Sequence, residues 1–312
     1  MNAGKPDRFF RVLFRKKIHM KMIKKLPAAI FSLLFLLTAA SCDYGEASHA
    51  RDDIPVFDEI VHAAGQLWGV DSEGTYRAFN GSNSREGLIK CAEETKNGGN
   101  TAAELDFSFT SDDRLVCIHD WSAEYIDTIN TGTPLTYNEF MSSEIFWNYT
   151  PLDAEEVVRV MNDYPRLYVV TDIKERFTDA LDSLSDAIRL TFPEKSDEIK
   201  SRVVVQIYSG DDYAEARQRG FTNIIYTLYR LSWSEKTDTK ALAEFARTHP
   251  MIGYTFSYEL CSVDDFVAGM KKTGIPLYVH TVNDAAEWEK YRAMGIDGVY
   301  TDTGLKKQEN TD

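Results

Sequence analysis

Hydrophobic and polar positions along the chain follow two periods. Nine short apolar runs carry strand chemistry: EIVHAAG, AAELDFSFT, RLVCIHD, RLYVVTDIK, RVVVQIYSG, NIIYTLYR, MIGYTFSY, IPLYVHTVN and DGVYTD. Most are rich in Val, Ile and Tyr, are bounded by turn residues, and reach a polar residue at the C-terminal end. Between many of them apolar residues recur three and four apart, as in SREGLIKCAEETKN, DAEEVVRVMNDY, FTDALDSLSDAIRLTF, TKALAEFARTH and DAAEWEKYRAMG. That spacing predicts amphipathic helices. Alternating strands and helices imply a parallel sheet covered by helices. An open doubly wound sheet calls for a Gly-rich loop after its first strand, and HAAGQLWG has no G-x-G-x-x-G. The pattern therefore favours a closed (β/α)8 TIM barrel. Nine candidate strands are one too many, and the expectation is that NIIYTLYR or MIGYTFSY is peripheral. The link FTSDDR leaves no room for a helix between the second and third runs, and its SDD reads as a turn that alone would suggest a hairpin.

The first 41 residues do not share this pattern. A basic stretch (Arg15, Lys16, Lys17, Lys21, Lys24, Lys25) precedes the apolar run LPAAIFSLLFLLTAAS and then Cys42. This order describes an export signal ending at a bacterial lipoprotein site, with Cys42 lipidated and the start at Met20 or Met22. An uncleaved anchor helix is the alternative, although the run is shorter than the roughly 20 residues a spanning helix needs. Residues 42–57 read as a polar tether, 58–306 as one barrel domain, and 307–312 as a tail. The expected location is outside the cytoplasm, at a membrane surface.

Composition narrows the partners. The chain has 35 basic and 49 acidic residues, and residues 1–41 hold nine of the basic ones and one of the acids. Residues 42–312 carry 26 basic against 48 acidic residues, a formal charge of −22. A body this acidic repels polyanions, which argues against nucleic acid while leaving room for one small phosphate. No obligate protein partner is evident. Beyond Cys42, the three cysteines Cys91, Cys117 and Cys261 are too scattered for a disulfide framework or a zinc site.

Candidate chemistry sits at the ends of the strands. In AAELDFSFT, Glu104, Asp106 and Ser108 share one face, while Leu105, Phe107 and Phe109 share the other. The apolar face suits helix packing, which points the carboxylates into the barrel. Close carboxylates repel and are costly to desolvate, and a divalent cation with hard oxygen ligands, Mg²⁺ or Ca²⁺, removes both problems. His62, His119, Asp172 and Lys174 also fall at strand ends, which converge on one mouth in such a barrel. Trp121 and His280 are further candidates to line the pocket.

The order HAAG, ELDFSFTSDDRLVCIHDW, TDIK, VHTVND and DGVYTD resembles the glycerophosphodiester phosphodiesterase family, within the phosphatidylinositol-specific phospholipase C-like barrel group. The resemblance runs from about Ile60 to Thr303. It implies a (β/α)8 barrel without a helix between the second and third strands. It further implies Glu104, Asp106 and Asp172 as ligands of one divalent cation, His62 and His119 as the catalytic pair, and Lys174 near the phosphate. Asn83 and Ser84 match only the last two residues of the family's P-E-N-T. Ala63 stands where the family has arginine, and His280 where a tryptophan commonly precedes T-V-N. The activity implied is metal-dependent cleavage of a small phosphodiester or lipid headgroup. A lyase that forms a cyclic phosphate and a non-catalytic headgroup-binding lipoprotein are the alternatives.

Overall fold

The computed structural model describes residues 56–96, 98–122 and 132–305. The expected export signal, Cys42, nearly all of the tether and the 307–312 tail lie outside these residues. Phe57, the last residue of the expected tether, is fully buried. Among the described residues no helix is long and apolar enough to cross a membrane.

The strands in chain order are β1 (Glu59–Val61), β2 (Leu67–Val70), β3 (Tyr76–Phe79), β4 (Thr101–Phe109), β5 (Leu115–Cys117), β6 (Leu152–Asp153), β7 (Tyr168–Ile173), β8 (Val203–Ile207), β9 (Asn223–Thr227), β10 (Gly253–Ser257), β11 (Leu277–His280) and β12 (Gly298–Thr301). Eight of them, β1, β4 and β7 to β12, are joined as parallel neighbours. β1 pairs with β4 on one side and β12 on the other, through Val61↔Ala103 and Val61↔Thr301, so the sheet closes into a (β/α)8 barrel. The helices Arg85–Lys96, Ala154–Asp163, Phe177–Thr191, Gly210–Gln218, Thr239–Thr248, Phe266–Lys271 and Ala285–Ala293 lie along the chain between these strands.

The surplus strand is RLVCIHD. β5 pairs antiparallel to β4 with Phe107 opposite Cys117, and β6 extends the same flap through Cys117↔Leu152. No helix separates β4 from β5, as the FTSDDR link implies, but β5 lies outside the closed barrel. The barrel's second and third strands, β4 and β7, are connected through the helix Ala154–Asp163, which corrects the expectation of a barrel lacking that helix. NIIYTLYR and MIGYTFSY are both regular barrel strands, β9 and β10, which corrects the expectation that one is peripheral. The reason is geometric: a parallel partner needs a crossover of a dozen or more residues, and the SDD turn permits only an antiparallel return. Thr110 closes that turn, its N–H donating to Arg114 O at 2.9 Å.

Strand alternation divides the core in two. Leu105, Phe107, Val169, Ile173, Val203 and Val205 face outward and join the helices in the main apolar cluster. Ile60, Ala102, Val170, Val204, Ile225, Tyr278 and Tyr300 face inward and, with Phe57, form the barrel floor. Tyr278 fills that floor because two neighbours lack side chains. A Cβ on Gly253 would lie 2.5 Å from the Tyr278 ring, and one on Gly298 would lie 2.0 Å from the Phe57 carbonyl oxygen. The acids of β4 share the inward parity of Ala102 and rise from this floor.

Candidate active site

Moving up the strands from the floor, the inward residues become polar. Asp106 and Asp172 are register partners on β4 and β7, so their carboxylates emerge side by side, with Glu104 one inward position below Asp106. One oxygen from each of Glu104, Asp106 and Asp172 lies within 4.8 Å of the other two. All three residues are buried. The sequence-predicted acids are thus brought together.

Each acid is held by a different part of the chain. The Ala63 N–H donates to Glu104 Oε2 at 2.7 Å. Ala63 and Ala64 both have left-handed backbone (φ 46° and 58°), a turn that aims this amide inward. Asn83 Nδ2 donates to Asp106 Oδ2 at 2.7 Å, and the Asp106 N–H donates back to Asn83 Oδ1 at 2.9 Å. The Tyr208 hydroxyl donates to Asp172 Oδ1, and Tyr229 donates to the same oxygen at 3.3 Å. Lys174 bridges the pair, with Nζ 2.6 Å from Asp106 Oδ1 and 2.8 Å from Asp172 Oδ2.

One oxygen is left over. Glu104 Oε1 is buried with no hydrogen-bond partner among the described residues. Burial, and next the charge of Asp106, push the Glu104 carboxyl up to about 8. An orphaned buried carboxylate oxygen beside two more hard oxygen donors fits a divalent cation, which would remove both the repulsion and the missing partner. The ammonium of Lys174 already shows that this cluster draws positive charge. For Asp172, burial is outweighed by Lys174 and the tyrosine hydroxyl, so its carboxyl is held below the ordinary range.

His62, just past β1, is paired through Nδ1 with Asp302 Oδ1 at 2.8 Å. Asn283 fixes that acid, donating from Nδ2 to Asp302 Oδ2 at 2.7 Å and accepting the Asp302 N–H at 2.7 Å. Burial works against a charged His62, but the Asp302 bond and the Glu104 and Asp106 charges overcome it and raise the imidazole to about 9. His119 lies two residues beyond β5, beside Ile118, whose N–H donates to Asp106 O at 2.9 Å. Its ring is half-exposed and pairs with Asp120 at 3.0 Å. Of the two further pocket candidates, Trp121 donates from Nε1 to Ser108 Oγ at 3.3 Å and packs edge-on against Phe140. His280 lies on β11 with Nδ1 3.1 Å from Thr255 Oγ1, close to the rings of Tyr229 and Tyr300. Burial, and then the charge of His62, lower His280 to about 4.

Asp302, Asn283, Tyr208, Tyr229 and the Ala63 amide are site groups that the sequence did not single out. Only the polar ends of TVND, VYTD, IYSG and TLYR hinted at them. Cys117 is a buried thiol whose titration is pushed well up by burial, in keeping with a core role.

Comparison with known proteins places this geometry. The glycerophosphoryl diester phosphodiesterase family model matches residues 92–304. No curated protein matches the sequence. Among solved structures, a phosphodiesterase from Oleispira antarctica in complex with the product sn-glycerol-3-phosphate is similar, with a TM-score of 0.58 and 17% identity over 82% of this chain and 96% of that one. A glycerophosphodiester phosphodiesterase from Parabacteroides distasonis gives a TM-score of 0.53 at 20% identity, over 79% of this chain and 93% of that one. Another from Thermotoga maritima gives 0.54 at 18% identity, over 79% and 94%. These likenesses share the barrel. The family match, which takes in Glu104, Asp106, His119, Asp172 and Lys174 and more than half of the sequence, carries the conclusion: the chain belongs to the glycerophosphoryl diester phosphodiesterase family and is a phosphodiesterase.

Proposed function

We propose that the protein hydrolyses glycerophosphodiesters, releasing glycerol phosphate and an alcohol, with Glu104, Asp106 and Asp172 holding one Mg²⁺ or Ca²⁺ ion. The observation that carries this reading is the buried acid triad with the unpartnered Glu104 Oε1. When bound, the ion supplies Lewis-acid polarisation of the phosphoryl oxygen. His62 and His119 share the proton transfers: one takes the proton of the attacking oxygen, and the other delivers one to the leaving alkoxide. Asp302 orients the His62 ring through Nδ1 and leaves Nε2 for the reaction. Lys174, between Asp106 and Asp172, sets the positive side of the phosphate site. Ala63 takes the place of the family arginine. Its side chain is buried, and its backbone serves Glu104 instead.

We also place the protein outside the cytoplasm as a lipoprotein anchored through Cys42, on the strength of the basic stretch and apolar run that precede it. A Cys42→Ser variant that still partitions into the membrane fraction refutes the anchor.

The function is tested with the purified full chain on glycerophosphocholine, glycerophosphoethanolamine and phosphatidylinositol, with Mg²⁺, Ca²⁺ or EDTA. Turnover that needs a divalent ion and yields sn-glycerol 3-phosphate is expected. Accumulation of a cyclic phosphate, or no turnover under any condition, overturns this reading.

A further inference from the structure

The cations near the mouth are unequally committed. Position 63 offers none, and Lys174 is engaged by two carboxylates. Arg176 is paired with Asp113 and Asp179 and lies over the Phe109 ring. Arg230, three residues past the end of β9, differs. Its side chain is exposed and has no carboxylate within ion-pair distance among the described residues. It is nonetheless held firmly in place. The guanidinium lies 3.7 Å from the Tyr208 ring centroid and 5.5 Å from that of Tyr229, and Nη2 donates to Ile173 O at 3.2 Å.

Each of those contacts leads to the acid cluster. Tyr208 and Tyr229 both donate to Asp172 Oδ1, and Ile173 lies between Asp172 and Lys174 in the chain. The arginine is therefore stacked and tethered on the rim directly beside the third acid. A guanidinium has five N–H donors in a planar fork that suits two oxygens of a phosphate, and a stack on aromatic rings orients the fork before any ligand arrives. An exposed, oriented cation with donors to spare, at the mouth of a site that handles a phosphodiester, is placed to bind an anion.

We propose that Arg230 binds the substrate phosphate, supplying from the fifth barrel strand the guanidinium that position 63 lacks on the first. The assignment rests on the phosphodiesterase reading above and deepens it. Arg230 is a binding residue: it holds the phosphate from the side of Asp172, while His62 and Asp302 lie across the mouth at the ends of β1 and β12.

The test is direct binding of inorganic phosphate to the full chain in Mg²⁺, measured by calorimetry for the native protein, Arg230→Ala and Arg230→Lys. Turnover of glycerophosphocholine is followed in parallel. Loss of a charge-assisted pair corresponds to roughly tenfold or greater weakening of phosphate binding in Arg230→Ala. KM is expected to rise by a similar factor with a smaller change in kcat, and Arg230→Lys to fall between. Native-like phosphate affinity in Arg230→Ala overturns the proposal, as does a native protein that binds no phosphate. A loss of thermal stability with unchanged phosphate affinity assigns Arg230 a structural role and overturns it equally. If phosphate binding depends on Arg230 but no glycerophosphodiester is cleaved, the binding site stands and the activity reading fails.

Discussion

The substitution Glu104→Gln separates the two demands on the acid cluster. Glutamine keeps the length of the side chain and a carbonyl oxygen to accept the Ala63 N–H, which donates to Glu104 Oε2 at 2.7 Å. It removes one charge from three. Without a bound cation, burial and the Asp106 charge lift the Glu104 carboxyl from 4.5 to about 8. At pH 7 the folded protein therefore takes up a proton that the unfolded chain has released, at a cost of about 3 kcal/mol. Because the folded value is the higher one, the contribution of this group to stability is largest below pH 4.5 and is lost as pH rises to about 8. Glu104→Gln is thus expected to raise the stability of the EDTA-treated protein at pH 7 by about 3 kcal/mol, or roughly 6–12 °C in Tm. It should flatten the decline of stability between pH 4.5 and 8 as well. Mg²⁺ should stabilise the native protein by mass action and the variant far less, with turnover lost. Urea unfolding and thermal scans in EDTA and in Mg²⁺ read all of this. A variant less stable than the native protein in EDTA, or one that gains as much from Mg²⁺, refutes the reasoning.

Three further outcomes are expected from the geometry. If the proposed mechanism holds, with the half-exposed ring carrying protons and the acids holding the ion, His119→Ala should lower kcat by about 10²–10⁴-fold while keeping the Mg²⁺-induced rise in Tm. Asp302→Asn should bring the His62 titration in EDTA, followed by NMR, down from about 9 toward 6.5, and should reduce kcat with little change in phosphate affinity. Because that histidine is raised in the fold, its pairing contributes fully below pH 6.5 and is lost as pH rises through about 9, a loss the variant should not show. Gly298→Ala should lower the urea midpoint by the equivalent of about 3 kcal/mol or more, since its Cβ would meet the Phe57 carbonyl oxygen at 2.0 Å, where neither backbone nor Tyr278 has room to move.

The acids and His62 were legible in the sequence because strand alternation and strand-end position are local properties. Glu104, Asp106 and Ser108 share a face by period alone, and the polar residues at strand ends mark the mouth of a barrel. The partners of these residues were not legible. Asp302 is 240 residues from His62 and meets it only where closure of the barrel pairs β1 with β12, and Tyr208 is 36 from Asp172 and meets it through the pairing of β7 with β8. The identity of the surplus strand is hidden in the sequence for a related reason. The apolar residues of β5 pack as well antiparallel as parallel, and only the length of the SDD link distinguishes the two. Arg230 is not legible in the sequence because a basic residue after TLY looks like any solvated charge until Tyr208, from another strand, lies beneath it.

The His62–Asp302 pair straddles the seam where β1 meets β12. The histidine emerges among the first residues of the barrel to be synthesised, and its acid among the last. In a nascent or truncated chain that stops before β12, the His62 imidazole is without the Asp302 carboxylate that pairs with its Nδ1. Under the proposed mechanism hydrolytic competence therefore waits on a long-range contact of the kind that forms slowly. A fragment that ends before β12 lacks Asp302 and so cannot form this pair.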